Sequence, residues 1–240
     1  MDLRGNAATW LGHGTWLWET SEGKKLLIDA WLEGNPACPE DMKDPAGLGV
    51  DGVLLTHGHF DHIGQGGGEA IAAIQKSGAP AFAIFEVATY LGGKGCEITG
   101  FNKGGTVEVA GVKATMVHAE HSGDITDDDG SLVDGGDAAG FVLEFPDGLV
   151  VYHAGDTDVF GDMELIAKVY EPHVSVLPIG GFYTASPRQA AEAVRLLGAA
   201  QVICSHFGTF PALSGTPAAL RDLVGGGVDI PDVSPGDRLP

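Results

Sequence analysis

Histidine and aspartate side chains concentrate in one short segment that follows an apolar run. Residues 53–62 read V-L-L-T-H-G-H-F-D-H, with three histidines and one aspartate within the last six positions. His57 and His59 are two residues apart, so on extended backbone they point to the same side and can bind one cation. Asp61 and His62 follow directly and can reach a second cation. Because imidazole and carboxylate groups are ligands for zinc, manganese or iron, the segment predicts a metal site at the end of a buried strand.

A second pair of histidines ends the apolar run before residue 118. Residues 117–122 read V-H-A-E-H-S, so His118 and His121 are three residues apart. Side chains alternate on extended backbone, and this spacing therefore prevents both imidazoles from facing the same way. The spacing alone leaves either histidine as the candidate ligand.

Two further candidates follow strands in the second half of the chain. Asp156 lies in the segment A-G-D-T directly after the apolar residues 149–153, and His206 lies in S-H-F-G-T-F after residues 201–205. Each repeats the arrangement around His57, in which a buried strand runs into a ligand-type residue. The two halves therefore resemble each other in the placement of their polar side chains.

These motifs make the chain resemble the metallo-β-lactamase superfamily, whose signature is H-x-H-x-D-H after a strand. The resemblance implies a centre of two divalent metal ions, with zinc expected and manganese the alternative. It favours His121 over His118, because family members carry a ligand histidine before a serine here. The implied ligands are His57, His59 and His121 for one ion, Asp61, His62 and His206 for the other, and Asp156 as the bridge.

The activity that the resemblance implies is hydrolysis by a hydroxide held between the two metal ions. Such a pair can lower the pKa of a shared water and stabilise both the attacking and the leaving oxygen. Asp61 and Asp156 are the catalytic candidates, Asp61 also as a proton donor or acceptor. No activated serine or cysteine is then needed, and none of the three cysteines replaces a ligand.

A narrower resemblance extends along nearly the whole chain. The motifs L-G-H, L-I-D, T-H-x-H-x-D-H, H-S, Y-H-A-G-D-T, P-I-G-G-x-Y-T and H-F-G-T-F occur in this order. They are similar to the UlaG-like, UPF0173 group of metal-dependent hydrolases, whose best-understood type opens the lactone of ascorbate 6-phosphate. A small ester, lactone or phosphodiester is therefore the expected substrate. The alternatives are a thioester hydrolase of the glyoxalase II type and a non-catalytic metal or ligand sensor on the same fold.

Five other residues are candidates to support the metal ligands or to contact substrate: His13, Asp29, His153, Tyr183 and Arg188. Asp29 ends an apolar strand, where a carboxylate needs polar partners, and the superfamily uses an aspartate there to support the ligands. Residues 186–189 read S-P-R-Q, which predicts a capping box at a helix start. If that helix begins beside the metals, its N–H groups and Arg188 form an anion site; a solvated arginine on a capped surface helix is the alternative.

Strands followed by helices in each half predict the elements that position these residues. We expect an α/β fold of the αββα sandwich type, the metallo-β-lactamase fold, with two face-to-face sheets and helices outside. The 240 residues are expected to form one domain with two pseudo-symmetric halves, about 1–125 and 138–240. The connecting segment 123–137 holds six aspartates that do not fit the EF-hand order, and we expect a solvated loop near the pocket mouth.

Composition restricts the partners. Thirteen Lys+Arg against 33 Asp+Glu give a net charge of −20, and only Lys24 and Lys25 are adjacent. A nucleic-acid partner would need a basic stripe, so a small-molecule substrate is expected, with neither nucleic acid nor membrane as partner. A homo-oligomer is compatible with this composition. Three widely spaced cysteines and an N-terminus without an apolar region behind a basic start predict a cytoplasmic protein.

Overall fold

Short apolar segments separated by glycine turns form two β-sheets in the computed structural model, which describes residues 1–240. The first sheet contains seven strands: β1 (Ala7–Trp10), β2 (Trp16–Glu19), β3 (Lys25–Ile28), β4 (Gly52–Leu54), β5 (Ala81–Ile84), β6 (Thr99–Phe101) and β15 (Arg238–Leu239). The second contains six: β7 (Thr106–Val109), β8 (Val112–His118), β11 (Ala139–Glu144), β12 (Val150–His153), β13 (Val174–Pro178) and β14 (Val202–Ser205). Their spatial orders are β15-β1-β2-β3-β4-β5-β6 and β14-β13-β12-β11-β8-β7.

The central strands of the second sheet, β11 to β14, are buried on both faces, and alternate side chains enter different cores. Phe141, Leu143 and Val151 pack in the core shared with the first sheet. Their neighbours Val142 and Tyr152 pack in a separate core on the other face. This alternation follows from the two-residue period of a strand, and it explains why these strands read as continuous apolar runs.

Helices cover the outer faces of both sheets. They are α1 (Pro45–Leu48), α2 (Phe60–Ile63), α3 (Gly68–Ser77), α4 (Phe85–Gly93), α5 (Met163–Tyr170), α6 (Pro187–Leu197) and α7 (Pro217–Val224). Apolar residues of α3 and α4 join the core of the first sheet, whereas those of α5, α6 and α7 join the outer core of the second. The layers confirm the predicted αββα sandwich.

The capping box predicted for α6 is present. Ser186 is the N-cap residue, Pro187 occupies the first turn, and the side-chain oxygen of Gln189 accepts a hydrogen bond from the Ser186 backbone N–H at 2.9 Å. Gly198 ends the helix in the left-handed conformation. These signals are local in sequence, which is why the predicted start of α6 matches the observed one.

The polar candidates converge because the strands before them end at a common edge. In the second sheet β12, β13 and β14 are parallel, and β8 has the same direction because β11 is antiparallel to both β8 and β12. In the first sheet β3 and β4 are parallel. The segments that leave these strand ends carry Asp29, His57, His121, Asp156 and His206. This edge of the sandwich is therefore where a site can form.

The segment 123–137 corrects one expectation. In place of a solvated loop it contains a β-hairpin, β9 (Ile125–Thr126) paired with β10 (Leu132–Val133). Lys94 forms ion pairs with Asp127 at 2.9 Å and Asp128 at 2.8 Å, so two of the aspartates hold the hairpin against α4. The C-terminal tail is also partly regular, since β15 pairs with β1. No helix is long and apolar enough to pass through a lipid bilayer.

All three cysteine thiols are free and buried. Burial raises the pKa of Cys38 to about 11, and Cys204 is fully enclosed. A thiol is nucleophilic only as the thiolate, of which a group with this pKa supplies about one part in a thousand at pH 8.

We therefore expect the native protein to release almost no thionitrobenzoate from Ellman's reagent at pH 8 within minutes. Addition of guanidinium chloride should release about three equivalents per chain, because unfolding exposes Cys38, Cys96 and Cys204. Rapid reaction of one equivalent in the native state would contradict the buried position of these thiols.

Candidate metal centre

The segment after β4 brings four polar side chains to the edge of the sandwich. His57 follows the strand, His59 occupies the N-cap position of α2, and Asp61 and His62 lie within that helix. The turn into α2 brings the ring of His62 back beside that of His57, with the two centroids 4.1 Å apart. Gly14 contacts the other side of this turn, where an added Cβ atom would collide with the imidazole ring of His62.

One donor group consists of His57, His59 and His121. His57 Nε2 lies 3.0 Å from His59 Nδ1, and His121 Nε2 lies 3.3 Å from the same atom. Tetrahedral ligands about 2.0–2.1 Å from one ion lie about 3.3 Å from each other, so the spacing suits a single zinc-sized cation. Ser122 Oγ lies 3.2 Å from His59 Nε2, the nitrogen that faces away from the group.

A second donor group consists of His13, Asp61, His62 and His206. The imidazole of His13 is fully buried, and its Nε2 lies 2.8 Å from Asp61 Oδ2. Burial lowers the pKa of His13 to about 4, so the neutral ring donates this hydrogen bond to the carboxylate. Sequence reasoning placed His13 around the pocket, and the structure places it in direct contact with a predicted ligand.

Asp156 lies between the two groups. Its Oδ2 atom is 2.9 Å from His206 Nε2, 3.2 Å from His62 Nε2 and 3.8 Å from His121 Nε2. The side chain is 3% exposed, so water cannot satisfy the carboxylate freely. One carboxylate therefore lies within 4 Å of histidines from both groups.

Several buried nitrogen atoms of this cluster have no hydrogen-bond partner. The Nε2 atoms of His62 and His206 both lack one, although each is close to Asp156. The atoms therefore approach without the angles of a hydrogen bond. Buried polar atoms are rarely left in this state, because each unsatisfied group costs about 1–3 kcal/mol. Donor atoms that point toward a shared position rather than at each other fit a metal ion.

Charges in the cluster are arranged for metal binding. Burial lowers the pKa of His57 well below its ordinary value, with a further contribution from His62. Burial opposes ionisation of Asp156, but His206 and His62 outweigh it and hold the pKa of Asp156 well below its ordinary value. Burial also disfavours charged His62, but Asp156 and Asp29 raise its pKa well above the ordinary value. Because ligands must be neutral imidazole or ionised carboxylate, a cation would displace the proton from His62.

Asp29, a sequence candidate for supporting the metal ligands, contacts the cluster through His62 and Thr56. Its carboxylate accepts hydrogen bonds from Thr56 N and Thr56 Oγ, both at 2.8 Å, and from His62 Nδ1 at 2.6 Å. Thr56 Oγ in turn lies 2.9 Å from His57 Nδ1. Because the Thr56 hydroxyl donates to Asp29, it accepts from His57. Both histidines are thereby oriented with Nε2 toward the cluster.

Three residues of the cluster or its support have left-handed backbone conformations. The φ angles are 56° for His13, 56° for Asp29 and 53° for His206. Non-glycine residues in this region cost about 1–3 kcal/mol and persist where surrounding contacts enforce them. His206 N donates to the carbonyl of His13 at 3.1 Å, which joins two of the strained segments. Such strain is typical of functional sites.

The remaining sequence candidates divide into those near the cluster and those away from it. His153 is buried beside His62 and Asp156, but neither ring nitrogen has a hydrogen-bond partner. Tyr183 lines the cavity above the cluster, whereas Arg188 is exposed and does not line it. The anion site proposed for Arg188 is therefore not formed at this cavity.

His118 lies outside both donor groups. Its imidazole is half-exposed, with Nδ1 3.3 Å from Lys103 Nζ and Nε2 3.3 Å from Glu120 Oε2. His121, three residues later, is in the first donor group. The structure thus resolves the choice that spacing alone left open.

An open cavity of about 980 Å³ lies over the cluster. His59, Asp61, His121 and Asp156 form part of its lining, together with side chains from the β9–β10 hairpin and from the segments around residues 182 and 210. In these two segments Tyr183 was a candidate from sequence, but neither Phe182 nor Phe210 was. One sequence feature could have indicated Phe210 as a site residue, because it lies in the motif S-H-F-G-T-F with His206.

Glu69 is another residue that sequence reasoning missed. Its carboxylate accepts hydrogen bonds from the backbone N–H groups of Leu32, Glu33 and Gly34 at 2.6, 2.7 and 3.0 Å. This contact fixes the loop after Trp31, a residue whose ring packs edge-on against His13 at 5.2 Å. The sequence shows an acidic residue in the first turn of the predicted helix, but it does not show which distant backbone groups that residue contacts.

Comparisons with known proteins identify the family of this chain. The family described as "Beta-lactamase superfamily domain" matches residues 24–207. A UPF0173 metal-dependent hydrolase of Herpetosiphon aurantiacus is 50% identical over 216 residues, covering 89% of this chain and 87% of the relative. One of Methanosarcina mazei is 42% identical over 233 residues, covering 96% of each. The structure of Igni18, a metallo hydrolase from Ignicoccus hospitalis, has a TM-score of 0.82 and 32% identity over 98% of this chain and 97% of that chain.

Proposed function

The chain belongs to the UPF0173 metal-dependent hydrolases of the metallo-β-lactamase superfamily, and from this we propose that it holds two divalent cations and hydrolyses a small ester, lactone or phosphodiester. The observation that carries the proposal is the convergence of two donor groups on one shared carboxylate, Asp156. Zinc is the proposed metal and manganese the alternative, because imidazole and carboxylate ligands suit both.

The residues divide into three roles. His57, His59 and His121 would hold one cation, while Asp61, His62 and His206 would hold the other, with Asp156 bridging. Asp29 would orient two of the histidines, and His13 would orient Asp61 through its 2.8 Å hydrogen bond. When bound, the metal pair would supply an activated water and stabilise developing negative charge.

Asp61 is the proposed proton-transfer group. It lies at the floor of the open cavity, where a substrate can approach it, and its carboxylate is held by His13. Burial raises the pKa of Asp61, but the His13 hydrogen bond and the charge of His62 outweigh burial and lower it. Asp61 therefore starts as the ionised base that can accept a proton from an attacking water.

Metal analysis together with turnover tests the proposal. Protein purified without chelator should contain about two equivalents of zinc or manganese by elemental analysis. It should hydrolyse nitrophenyl esters or nitrophenyl phosphodiesters, lose that activity after dialysis against a chelator, and regain it on addition of the metal. Full activity in metal-free protein would refute the proposal.

Asp29→Asn should weaken metal binding without unfolding the protein. Asparagine retains an acceptor for Thr56, but its neutral amide cannot satisfy Thr56 and the His62 N–H as the carboxylate does. Residues that orient metal ligands typically change affinity by about 10- to 100-fold, and we expect a loss of this size in competition with a chromophoric chelator.

Asp51→Asn is the matched control, because Asp51 accepts hydrogen bonds from Lys24 and Lys25 at the far end of β3 and β4. It should leave the metal affinity unchanged. Equal affinities for wild type and Asp29→Asn would show that Asp29 does not position the ligands.

A further inference from the structure

The mouth of the cavity over the cluster exposes large apolar side chains. Phe182 is 78% exposed and Leu132 is 70% exposed, and both line the cavity with Phe60 and Tyr183. They come from separate segments, namely the loop after β13, strand β10, and helix α2. Apolar side chains collected from distant parts of a chain around one polar centre mark a ligand site rather than scattered surface residues.

The backbone that carries the exposed rings of Phe182 and Tyr183 is strained. Phe182 has φ of 63°, a left-handed conformation that bulky residues rarely adopt, and Tyr183 N donates to Gly181 O at 2.7 Å to close the turn. The rings of Phe182 and Tyr183 pack edge to face with centroids 4.7 Å apart. A strained turn that holds an exposed aromatic pair is explained by contact with a ligand.

Two further lining rings, those of Phe210 and Phe60, are backed by buried rings that reach the donor cluster. Phe210 lies 5.5 Å from His13 and 6.0 Å from Trp31, and Trp31 lies 6.0 Å from Phe60, all between ring centroids. Because His13 contacts Asp61, the apolar surface begins beside the proposed reacting position. A substrate held at the cluster would therefore rest its remaining atoms against aromatic rings.

Charge around the cavity has one sign. None of the fourteen lining residues is lysine or arginine, and Asp124 lies among them without a hydrogen bond or an ion pair. Lys94, on the α4 side of the hairpin, is engaged by Asp127 and Asp128. A second anionic group on a substrate would meet an unpaired carboxylate and no cation outside the proposed metals.

We infer that the substrate carries an uncharged, apolar group, of aromatic-ring size, attached to its scissile carbonyl or phosphoryl group. This inference rests on the proposed hydrolytic function and adds the substrate class. It excludes sugar phosphates and glutathione conjugates as substrates. The phosphate or carboxylates of those compounds need cationic contacts away from the reacting bond.

The test compares compounds that differ only in distal charge. Nitrophenyl esters of para-methylbenzoic acid and of para-carboxybenzoic acid, and the corresponding aryl nitrophenyl phosphodiesters, give kcat/KM on the metal-loaded protein. The two matched hydroxamates, para-methyl and para-carboxy, give dissociation constants by calorimetry without any need for turnover. We expect the para-methyl member of each pair to be favoured by about fivefold to tenfold, the size of one water-screened charge contact at about 4 Å.

Two variants assign the effect to the named residues. Asp124→Lys should reverse the preference, because it replaces a carboxylate that repels the distal anion with an ammonium group that attracts it. Phe182→Ala should weaken both binding and kcat/KM for the para-methyl compounds by about threefold to tenfold. Glu22→Lys makes the same charge change on the remote β2–β3 turn, and Phe85→Ala removes an exposed ring outside the cavity. Both controls should leave the preference at its wild-type value.

The outcomes separate the two proposals. Turnover or hydroxamate binding without a preference for the para-methyl compounds, or a preference that Asp124→Lys and Phe182→Ala leave intact, overturns the substrate class and keeps the metallohydrolase. Binding of neither hydroxamate together with no turnover overturns both. Preferential binding without turnover supports the apolar site and counts against hydrolysis.

Discussion

Asp156→Ala is expected to lower kcat/KM by about a thousandfold or more and to reduce the bound metal from two equivalents to one or none. Asp156 Oδ2 is the carboxylate atom that lies within 4 Å of histidines from both donor groups. Loss of a buried charge partner typically costs about 3–5 kcal/mol, and each 1.36 kcal/mol of transition-state stabilisation is tenfold in rate. The prediction follows from the shared position of this carboxylate.

The measurement needs metal content and kinetics on the same samples. Asp162→Ala is the matched control, because Asp162 is an exposed aspartate before α5 that makes no side-chain cap hydrogen bond. It should retain both metal equivalents and wild-type kcat/KM. An Asp156→Ala protein with two metal equivalents and wild-type activity would show that the two groups do not share this ligand.

Unfolding must be distinguished from loss of metal. In the metal-free protein the charges of Asp156 and Asp29 raise the pKa of His62. In Asp156→Ala only Asp29 remains to stabilise the protonated imidazole. We expect Asp156→Ala to keep the far-ultraviolet circular dichroism of the wild type, since the core between the sheets does not involve this side chain. Asp156→Asn, which retains the volume but not the charge, should reproduce the loss of metal.

Several ligand candidates could be found from sequence because they come within three residues of the end of a strand. A strand that runs into His57, Asp156 or His206 places that residue at an edge, and parallel strands bring several such ends together. The start of α6 was predicted in the same way, from the neighbouring residues of its capping box. Structural features that depend on a few neighbouring residues can therefore be predicted from sequence alone.

Contacts between distant loops could not be predicted in this way. The hydrogen bond from His13 to Asp61 spans 48 positions, and it depends on a left-handed turn in a loop with no periodic pattern. The acidic segment 123–137 was expected to be a loop, but it forms a hairpin. Lys94, at the end of α4, supplies the positive charge that pairs with two of its aspartates. For Arg188 the sequence left open an anion site or a solvated arginine on a capped helix. The structure shows the exposed arginine, because packing sets the direction of a helix start.

Removal of the metals is expected to lower the melting temperature by about 10 °C as well as to abolish activity. A ligand at a thousand times its dissociation constant stabilises the folded state by about 4 kcal/mol, and for a chain of this size each kcal/mol shifts the melting temperature by about 2–4 °C. Without the cations, buried nitrogens of His13, His62 and His206 keep unsatisfied hydrogen-bonding capacity. The cluster is therefore a place where metal binding and folding are coupled.

Differential scanning calorimetry on metal-loaded and chelator-treated protein measures this shift, and readdition of zinc or manganese should reverse it. In Asp156→Ala the chelator should shift the melting temperature by much less, because that variant lacks the shared ligand, whereas Asp162→Ala should behave as the wild type. Equal melting temperatures with and without chelator, in protein shown to contain metal, would mean that the cations contribute nothing to the folded state. Since seven polar side chains from both sheets meet at this edge, a metal that binds them joins the two halves of the sandwich, and its removal should weaken their association there first.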